Sequence, residues 1–152
     1  MPARDGLGLA FLEQANAKTK DLPKAERLLI EASLASRLAD SEKALTLWQQ
    51  VTEAAPNDWR GLIGLGLQLT LAEKYAEAVE VEKKAVALNP NAGPAYNMLG
   101  YGYLNLGDNA QAVEALKKYA SLLPNEPNPH DSLGEAMMAA GDLAGAEAEF
   151  KQ

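Results

Sequence analysis

The sequence predicts an all-α solenoid built from antiparallel helical hairpins, because three residue patterns recur along it with one period. Proline occurs at Pro56, Pro90 and Pro124, in equal steps of 34 positions. A Leu-Gly pair recurs at the same interval, at Leu65-Gly66, Leu99-Gly100 and Leu133-Gly134. Alanine occupies five equivalent positions: Ala10, Ala44, Ala78, Ala112 and Ala146. Self-similarity at a fixed period of this size is typical of repeat proteins, in which neighbouring units bury a shared core.

The copy at residues 93–126 predicts two helices. Its first half places apolar or small residues at i, i+3, i+4 and i+7, the spacing of one helix face: Tyr96, Leu99, Gly100 and Tyr103. The second half does the same with Ala112, Leu116 and Tyr119. This periodicity indicates a pair of amphipathic helices. Glycine in the first helix, facing alanine in the second, leaves room for the two backbones to approach closely.

Signals for helix ends agree with the period. Asp108, followed three residues later by Gln111, predicts a capping box at the start of a second helix. Pro94 and Pro129 are predicted at a first helical position, where the missing N–H costs nothing. The proline near the end of each copy is expected to stop the second helix and turn the chain into the next copy.

This pattern resembles the tetratricopeptide repeat family. Copy 93–126 carries the family's residue types in their order: Tyr96, Leu99-Gly100, Tyr103, Gly107, Ala112, Leu116 and Pro124. Copy 59–92 departs from the pattern at Glu82, and copy 25–58 lacks the Leu-Gly pair. The resemblance implies a right-handed superhelical solenoid in which the first helices of successive hairpins line a concave surface.

We predict a single tetratricopeptide-like domain over residues 1–152, which the period divides into repeats. Residues 1–24 are predicted to hold the lone second helix of an incomplete repeat, near Leu7 to Thr19. Three repeats follow at 25–58, 59–92 and 93–126, and a truncated fourth at 127–152. Neither end shows a polar capping helix, so we expect exposed apolar residues around Met137, Leu143 and Phe150 to favour self-association.

The composition excludes several kinds of catalytic and metal site and disfavours one class of partner. The 152 residues include no cysteine and a single histidine, and their formal net charge is -7. These counts exclude a cysteine nucleophile, a thiolate metal site and a poly-histidine site within one chain. The negative charge disfavours nucleic acid as a partner. We expect no cofactor and no metal.

The apolar stretches are shorter than the roughly 20 residues that span a bilayer. Residues 1–10 lack the pattern of a signal peptide. The sequence therefore predicts no membrane insertion. It favours the cytoplasm, with the periplasm as the alternative if a signal peptide is removed from a longer parent chain.

The resemblance also implies which residues face the concave surface. Projected onto this sequence, the candidates for a peptide-binding groove are Arg37, Arg60, Ile63, Leu67, Asn97, Tyr101, Leu104, Asn105, Asp131 and Glu135. Arginines lie toward one end and carboxylates toward the other. Such a surface suits an extended peptide or an amphipathic helix, with Tyr101 and Ile63 as anchors and the two asparagines binding backbone amides.

The carboxylate clamp by which some family members hold chaperone tails is not supported. Its lysine, arginine and asparagine positions are occupied here by Leu29, Ser33, Gly64, Pro94 and Met98. We interpret His130 as a packing residue, since its neighbours Asp131 and Ser132 point away from it on a helix and form no triad. The glycine clusters lie within helix patterns and lack the features of a phosphate loop.

The sequence therefore predicts a non-catalytic scaffold for protein–protein interaction. The alternative is a module for self-assembly, or an accessory region of a larger enzyme or secretion complex. In that case homo-oligomers would form through the uncapped ends.

Overall fold

Eight α-helices follow one another in the computed structural model, which describes Gln14, Lys18 and residues 21–152 of the chain. No strand occurs within these residues. The lone helix predicted near Leu7 to Thr19 lies, apart from these two residues, outside the described part. The helices are α1 Lys24–Arg37, α2 Ser41–Ala54, α3 Trp59–Leu71, α4 Tyr75–Leu88, α5 Gly93–Asn105, α6 Asn109–Leu122, α7 Pro127–Ala139 and α8 Leu143–Glu149.

The helices pair in sequence order. Each odd-numbered helix packs against the even-numbered helix that follows it, giving four hairpins, and each even-numbered helix before the last also packs against the start of the next hairpin. Odd-numbered helices also touch one another directly, α3 against α5 and α5 against α7. This arrangement confirms the predicted all-α solenoid of antiparallel helical hairpins.

Side-chain caps fix where the second helices begin. The Asp108 carboxylate accepts a hydrogen bond from the backbone N–H of Gln111 at 3.2 Å, which is one half of the predicted capping box. The other half is not formed, because the backbone N–H of Asp108 donates to the carbonyl oxygen of Tyr103 at 2.9 Å. Asp40 and Asp142 cap α2 and α8 in the same way. An oxygen acceptor here satisfies one of the N–H groups that a helix start leaves without a partner.

Proline lies in the first turn of α5 and α7, but the predicted position is wrong by one or two residues. Pro94 is the second residue of α5, Pro129 is the third of α7, and Pro127 is the first. The shift is tolerated because none of the first N–H groups of a helix has an intrahelical partner. At the other end, α2, α4 and α6 each finish two residues before a proline, as expected.

The buried residues of the core recur with the 34-residue period of the sequence. The alanines that recur with the repeat period are fully or almost fully buried: Ala44, Ala78, Ala112 and Ala146. The equivalent position of the odd-numbered helix is Ala32 in the first hairpin and a glycine in the other three, namely Gly66, Gly100 and Gly134. The side chain nearest to each glycine belongs not to the alanine, however, but to the residue four positions after it. A Cβ on Gly100 would lie 2.4 Å from Leu116 Cγ, and one on Gly134 would lie 2.5 Å from Phe150 Cε1.

The turns inside the hairpins repeat a second conformation. At four positions related by the same period the backbone has a positive φ, namely at Ala39, Glu73, Gly107 and Gly141. This left-handed conformation ends the odd-numbered helix and suits glycine best, because it has no Cβ to clash. The turns are therefore equivalent in geometry even where the residue differs.

Replacing Gly100 by alanine tests the close approach. We expect a loss of about 1 to 2 kcal/mol in the free energy of unfolding, since overpacking against Leu116 outweighs the helix propensity gained. Urea unfolding followed by circular dichroism measures it. Gly93→Ala is the control, because its Cβ would meet only ordinary contacts at 3.4 Å. Equal stability of both variants would contradict a tight contact at Gly100.

Candidate interaction surface

The odd-numbered helices place the predicted groove residues on one set of neighbouring elements. We call the solvent-facing side of α1, α3, α5 and α7 the first-helix face. Arg37 ends α1, α5 carries four of the residues, and α3 and α7 carry the rest. The ten positions on this face are Arg37, Arg60, Ile63, Leu67, Asn97, Tyr101, Leu104, Asn105, Asp131 and Glu135.

Two helices of the first-helix face, α3 and α7, carry exposed apolar side chains. Leu67 is 43% exposed, and two further side chains of the same helices, Leu71 and Met138, are 65% and 51% exposed. Ile63 and Leu104 are half-buried and pack against core clusters. These exposed side chains lie on α3 and α7, on either side of α5, and a partner that covers them gains free energy from their burial.

A hydrogen bond joins α5 to α7 across this face. The hydroxyl of Tyr101 donates to Glu135 Oε2 at 2.7 Å and lies 3.4 Å from Ser132 Oγ. Burial, and then the contact with Glu135, raise the pKa of Tyr101, so the phenol stays protonated and can donate. Two of the predicted residues are thereby brought together. Ser132, which the sequence did not single out, completes the contact.

The two arginines of the face, Arg37 and Arg60, differ in whether their guanidinium groups are already bound to a carboxylate. The Arg60 guanidinium donates to Asp58 through Nη2 at 2.6 Å and Nε at 2.9 Å. Arg37 is exposed and forms no ion pair with the residues that the structure describes. The predicted positive end of the face is therefore partly neutralised, because Asp58 precedes α3 and reaches the second residue of that helix.

The two asparagines are also unequal. Asn105 Nδ2 donates to the backbone carbonyl of Tyr101 at 2.8 Å, which uses one of its two donors within α5. Asn97 is half-buried, and within the described residues its Oδ1 is shielded from solvent with no hydrogen-bond partner. Because Asn105 is exposed and its bond to Tyr101 uses only a donor, Asn105 is the better placed of the two to accept a hydrogen bond from an incoming group through Oδ1.

A pocket of about 270 Å³ lies beside the Arg60 end of the face. It is formed where α1, α2 and α3 meet, and Leu29, Ile30, Val51 and the Asp58–Arg60 pair line it. Its walls come from three helices that follow one another in the chain. The repeat pattern marks these positions individually but gives no sign that a pocket forms between them.

His130 of α7 links this helix to α8 and to the turn that precedes α7. Its Nδ1 lies 2.7 Å from Glu149 Oε2, and its Nε2 lies 3.1 Å from the carbonyl oxygen of Pro124. Both partners accept hydrogen bonds, so the doubly protonated imidazolium satisfies them together. The contact with Glu149, followed by that with Pro124, raises the pKa of His130.

Residues 21–152, together with Gln14 and Lys18, contain no group of three or more histidine or acidic side chains close enough to hold a metal ion. Within the same part of the chain, no helix combines the length and the apolar character needed to cross a membrane.

Family comparisons agree with the geometry. Two models of the tetratricopeptide repeat match the sequence, one at residues 29–93 and one at residues 93–126. Together they span more than half of the chain. No curated protein matches the sequence.

Solved structures with the same fold include MamA from Desulfovibrio magneticus RS-1, beginning at its residue 41. It is 25% identical with a TM-score of 0.79, and the match covers 98% of this chain and 83% of that one. A double mutant of MamA from RS-1 is 26% identical with a TM-score of 0.79, over 97% and 82%. A thermophilic tetratricopeptide repeat protein of Thermus thermophilus, TTC0263, is 23% identical with a TM-score of 0.80, over 97% and 80%.

The contact between His130 and Glu149 predicts a pH dependence. A raised pKa means that the contact stabilises the fold below the unfolded pKa of histidine, and that this contribution is lost as pH rises through the folded pKa. Because the chain has one histidine, its imidazole NMR signals report this pKa without ambiguity. We expect a pKa above 6.5 in the wild type and a lower one in Glu149→Gln. Identical titrations would contradict the contact.

Proposed function

The chain belongs to the tetratricopeptide repeat family, and we infer that it is a non-catalytic scaffold that binds a peptide or helical segment of another protein on the first-helix face. Membership supports a role in protein–protein interaction. The residues of the face support the finer statement about where binding occurs, because fold alone does not specify a site.

The observation that carries the proposal is the set of exposed apolar side chains that α3 and α7 place on the first-helix face. Leu67, Leu71 and Met138 are each at least 43% open to water although they belong to helices whose opposite sides form the core. Exposed apolar groups of this kind bind the apolar face of an amphipathic helix or alternate side chains of an extended peptide. Burying them supplies affinity at roughly 25 cal/mol per Å² of apolar area.

Polar groups on the same face would set the direction of the ligand. Arg37 offers an exposed cation at one end of the row of helices, and Asp131 and Glu135 offer carboxylates on α7 at the other. Glu135 is held in place by Tyr101. A ligand whose acidic end lies over α1 and whose basic end lies over α7 therefore matches the charge order of the face.

A peptide-display experiment tests the site of binding. Peptides of about 12 residues are selected on the wild-type protein, with no bias toward either side of the solenoid. Their affinity is then measured by fluorescence polarisation for the wild type and for Leu67→Ser. We expect at least about tenfold weaker binding to Leu67→Ser, because it removes an apolar contact.

Leu88→Ser is a matched control. Leu88 has the same exposed fraction as Leu67, 43%, but lies at the end of α4, a second helix. Binding to it should stay within about twofold of the wild type. If Leu88→Ser abolishes binding while Leu67→Ser does not, the groove proposal is wrong. Circular dichroism checks that both variants keep their helicity.

Self-assembly is a second candidate function, favoured by a separate observation. Leu143 and Phe150 in the last hairpin are 70% and 45% exposed. A second copy, or a neighbouring segment of a larger assembly, could cover them and bury a continuous apolar surface. This contact lies at α8 rather than on the first-helix face, so the two candidate functions predict different variants.

Light scattering coupled to size exclusion tests self-assembly. If α8 mediates it, the mass of the wild type should rise with protein concentration, whereas Leu143→Ser should stay monomeric over the same range. A monomeric wild type throughout would argue against this candidate and leave peptide binding unaffected.

A further inference from the structure

The contacts between successive hairpins repeat with the chain, so their chemistry can be compared position by position. We call each such contact a joint. Every joint contains three equivalent residues: one from the end of an odd-numbered helix, one from the following helix, and one from the next hairpin. The first joint has Ser36, Trp48 and Gln68, the second has Thr70, Glu82 and Gly102, and the third has Leu104, Leu116 and Ala136.

The first joint is polar, and its polar groups are paired. The indole Nε1 of Trp48 donates to Ser36 Oγ at 2.9 Å, and Gln68 Nε2 donates to the same oxygen at 3.3 Å. The bond from Gln68 joins α1 to α3. A buried polar group with a partner of this kind carries little penalty.

The third joint is apolar throughout. Leu116 and Ala136 are fully buried, and Leu104 packs against the same core cluster. None of these three side chains has a hydrogen bond to satisfy, so the stability of this joint depends on packing alone.

The second joint is polar, but its polar groups are unpaired. Glu82 is 0% exposed. Both its carboxyl oxygens, and Thr70 Oγ1 as well, are shielded from solvent and have no hydrogen-bond partner among the described residues. The carboxyl lies between two glycines: a Cβ on Gly66 would be 2.9 Å from Oε1, and one on Gly102 would be 3.1 Å from Oε2.

Among the residues that the structure describes, no charge faces this carboxyl. Helix α5 has no charged residue, and its titratable side chains are the half-buried phenols of Tyr96, Tyr101 and Tyr103. The charged residues of the other helices around the joint are all exposed. They are Arg60 of α3, Glu77, Glu80, Lys83 and Lys84 of α4, and Glu114, Lys117 and Lys118 of α6. Arg60 is paired with Asp58, Lys83 with Glu80 and Lys117 with Glu114.

We propose that the joint between the second and third hairpins is a proton-dependent switch, closed when Glu82 carries a proton and loosened when Glu82 loses it. The neutral acid fits the space between the two glycines. The described residues offer the carboxylate neither a hydrogen bond nor a counter-ion there. The ionised side chain is therefore solvated only when the joint opens to water.

The direction in which pH changes the stability follows from the burial of Glu82. Burial raises the pKa of Glu82 from 4.5 to about 7, and no other cause contributes. A raised pKa for an acid means that the folded state holds its proton more tightly than the unfolded state. Stability is therefore full below the unfolded pKa and falls as pH rises from there through the folded pKa.

Opening this joint would separate α3 from α5, and with them Leu67 from Tyr101. The first-helix face would then change shape within the physiological pH range. The switch itself does not depend on what that face binds, so its test uses stability and local opening rather than ligand affinity.

The test compares wild type with Glu82→Gln, which keeps the shape but cannot ionise. Urea unfolding is measured from about pH 5 to about pH 8. At each pH the folding equilibrium constant of the wild type is divided by that of Glu82→Gln. We expect the ratio of wild type to variant to fall roughly 70-fold across this range. Contributions that both chains share, including that of His130, cancel in the ratio. Glu80→Gln, which replaces an exposed carboxylate on the same helix, should give a ratio that stays flat above about pH 5.

Hydrogen exchange then locates the opening. After correction for intrinsic rates, the wild type should lose protection in α3, α4 and α5 at about pH 8, while α1 and α2 are unchanged. Glu82→Leu, which copies Leu116 of the third joint, should keep that protection and should be more stable than wild type above about pH 7.

Two results would overturn the proposal. One is a ratio of wild type to Glu82→Gln that does not change with pH. The other is a side-chain carboxyl signal of Glu82, followed by carbon NMR in the wild type, that titrates near the ordinary value of 4.5. The NMR titration needs no variant, so it decides the matter even if a substituted chain fails to fold.

Discussion

The packing of a side chain from the second half of a hairpin into the space left by a glycine of the first helix, seen in the last three hairpins, is the constraint on which the rest of the structure depends. A glycine in the first helix leaves a space that a large side chain of the second helix fills, as Leu116 does over Gly100 and Phe150 over Gly134. A fully or almost fully buried alanine lies one turn earlier in the second helix. Because the contact recurs with the repeat period, the hairpins stack in one orientation and their first helices become neighbours.

The interaction surface is a consequence of that stacking. Helices that lie side by side with their cores turned inward must present their remaining sides to water together. On α3 and α7 these sides carry exposed leucine and methionine, and the bond from Tyr101 to Glu135 spans the gap between α5 and α7. The joints between hairpins control the spacing of these helices, and they do so with three different chemistries: a hydrogen-bonded set, an unpaired acid and an apolar cluster.

Features of the repeat are predictable from the sequence, since they depend on local spacing. The helical hairpins and the cap at Asp108 follow from residues close together in the chain or from the period. Contacts between side chains are harder to predict. The groove pattern assigns Arg60 a place at the positive end of the face and does not indicate that Asp58 binds it. The hydrogen bond between Tyr101 and Glu135 joins residues 34 positions apart. Glu82 is visible as a break in the pattern, but its isolation depends on Gly66 and Gly102, which only the packed structure brings against it.

The central claim is that the first helices, and not the second, form the binding surface. A backbone amide footprint tests it most directly: hydrogen exchange of the wild-type protein is recorded with and without a display-selected peptide at saturation. The account predicts added protection in α1, α3, α5 and α7, strongest around Leu67 and Tyr101, with α2, α4 and α6 little changed. Protection confined to the second helices, or to α8 alone, would contradict it.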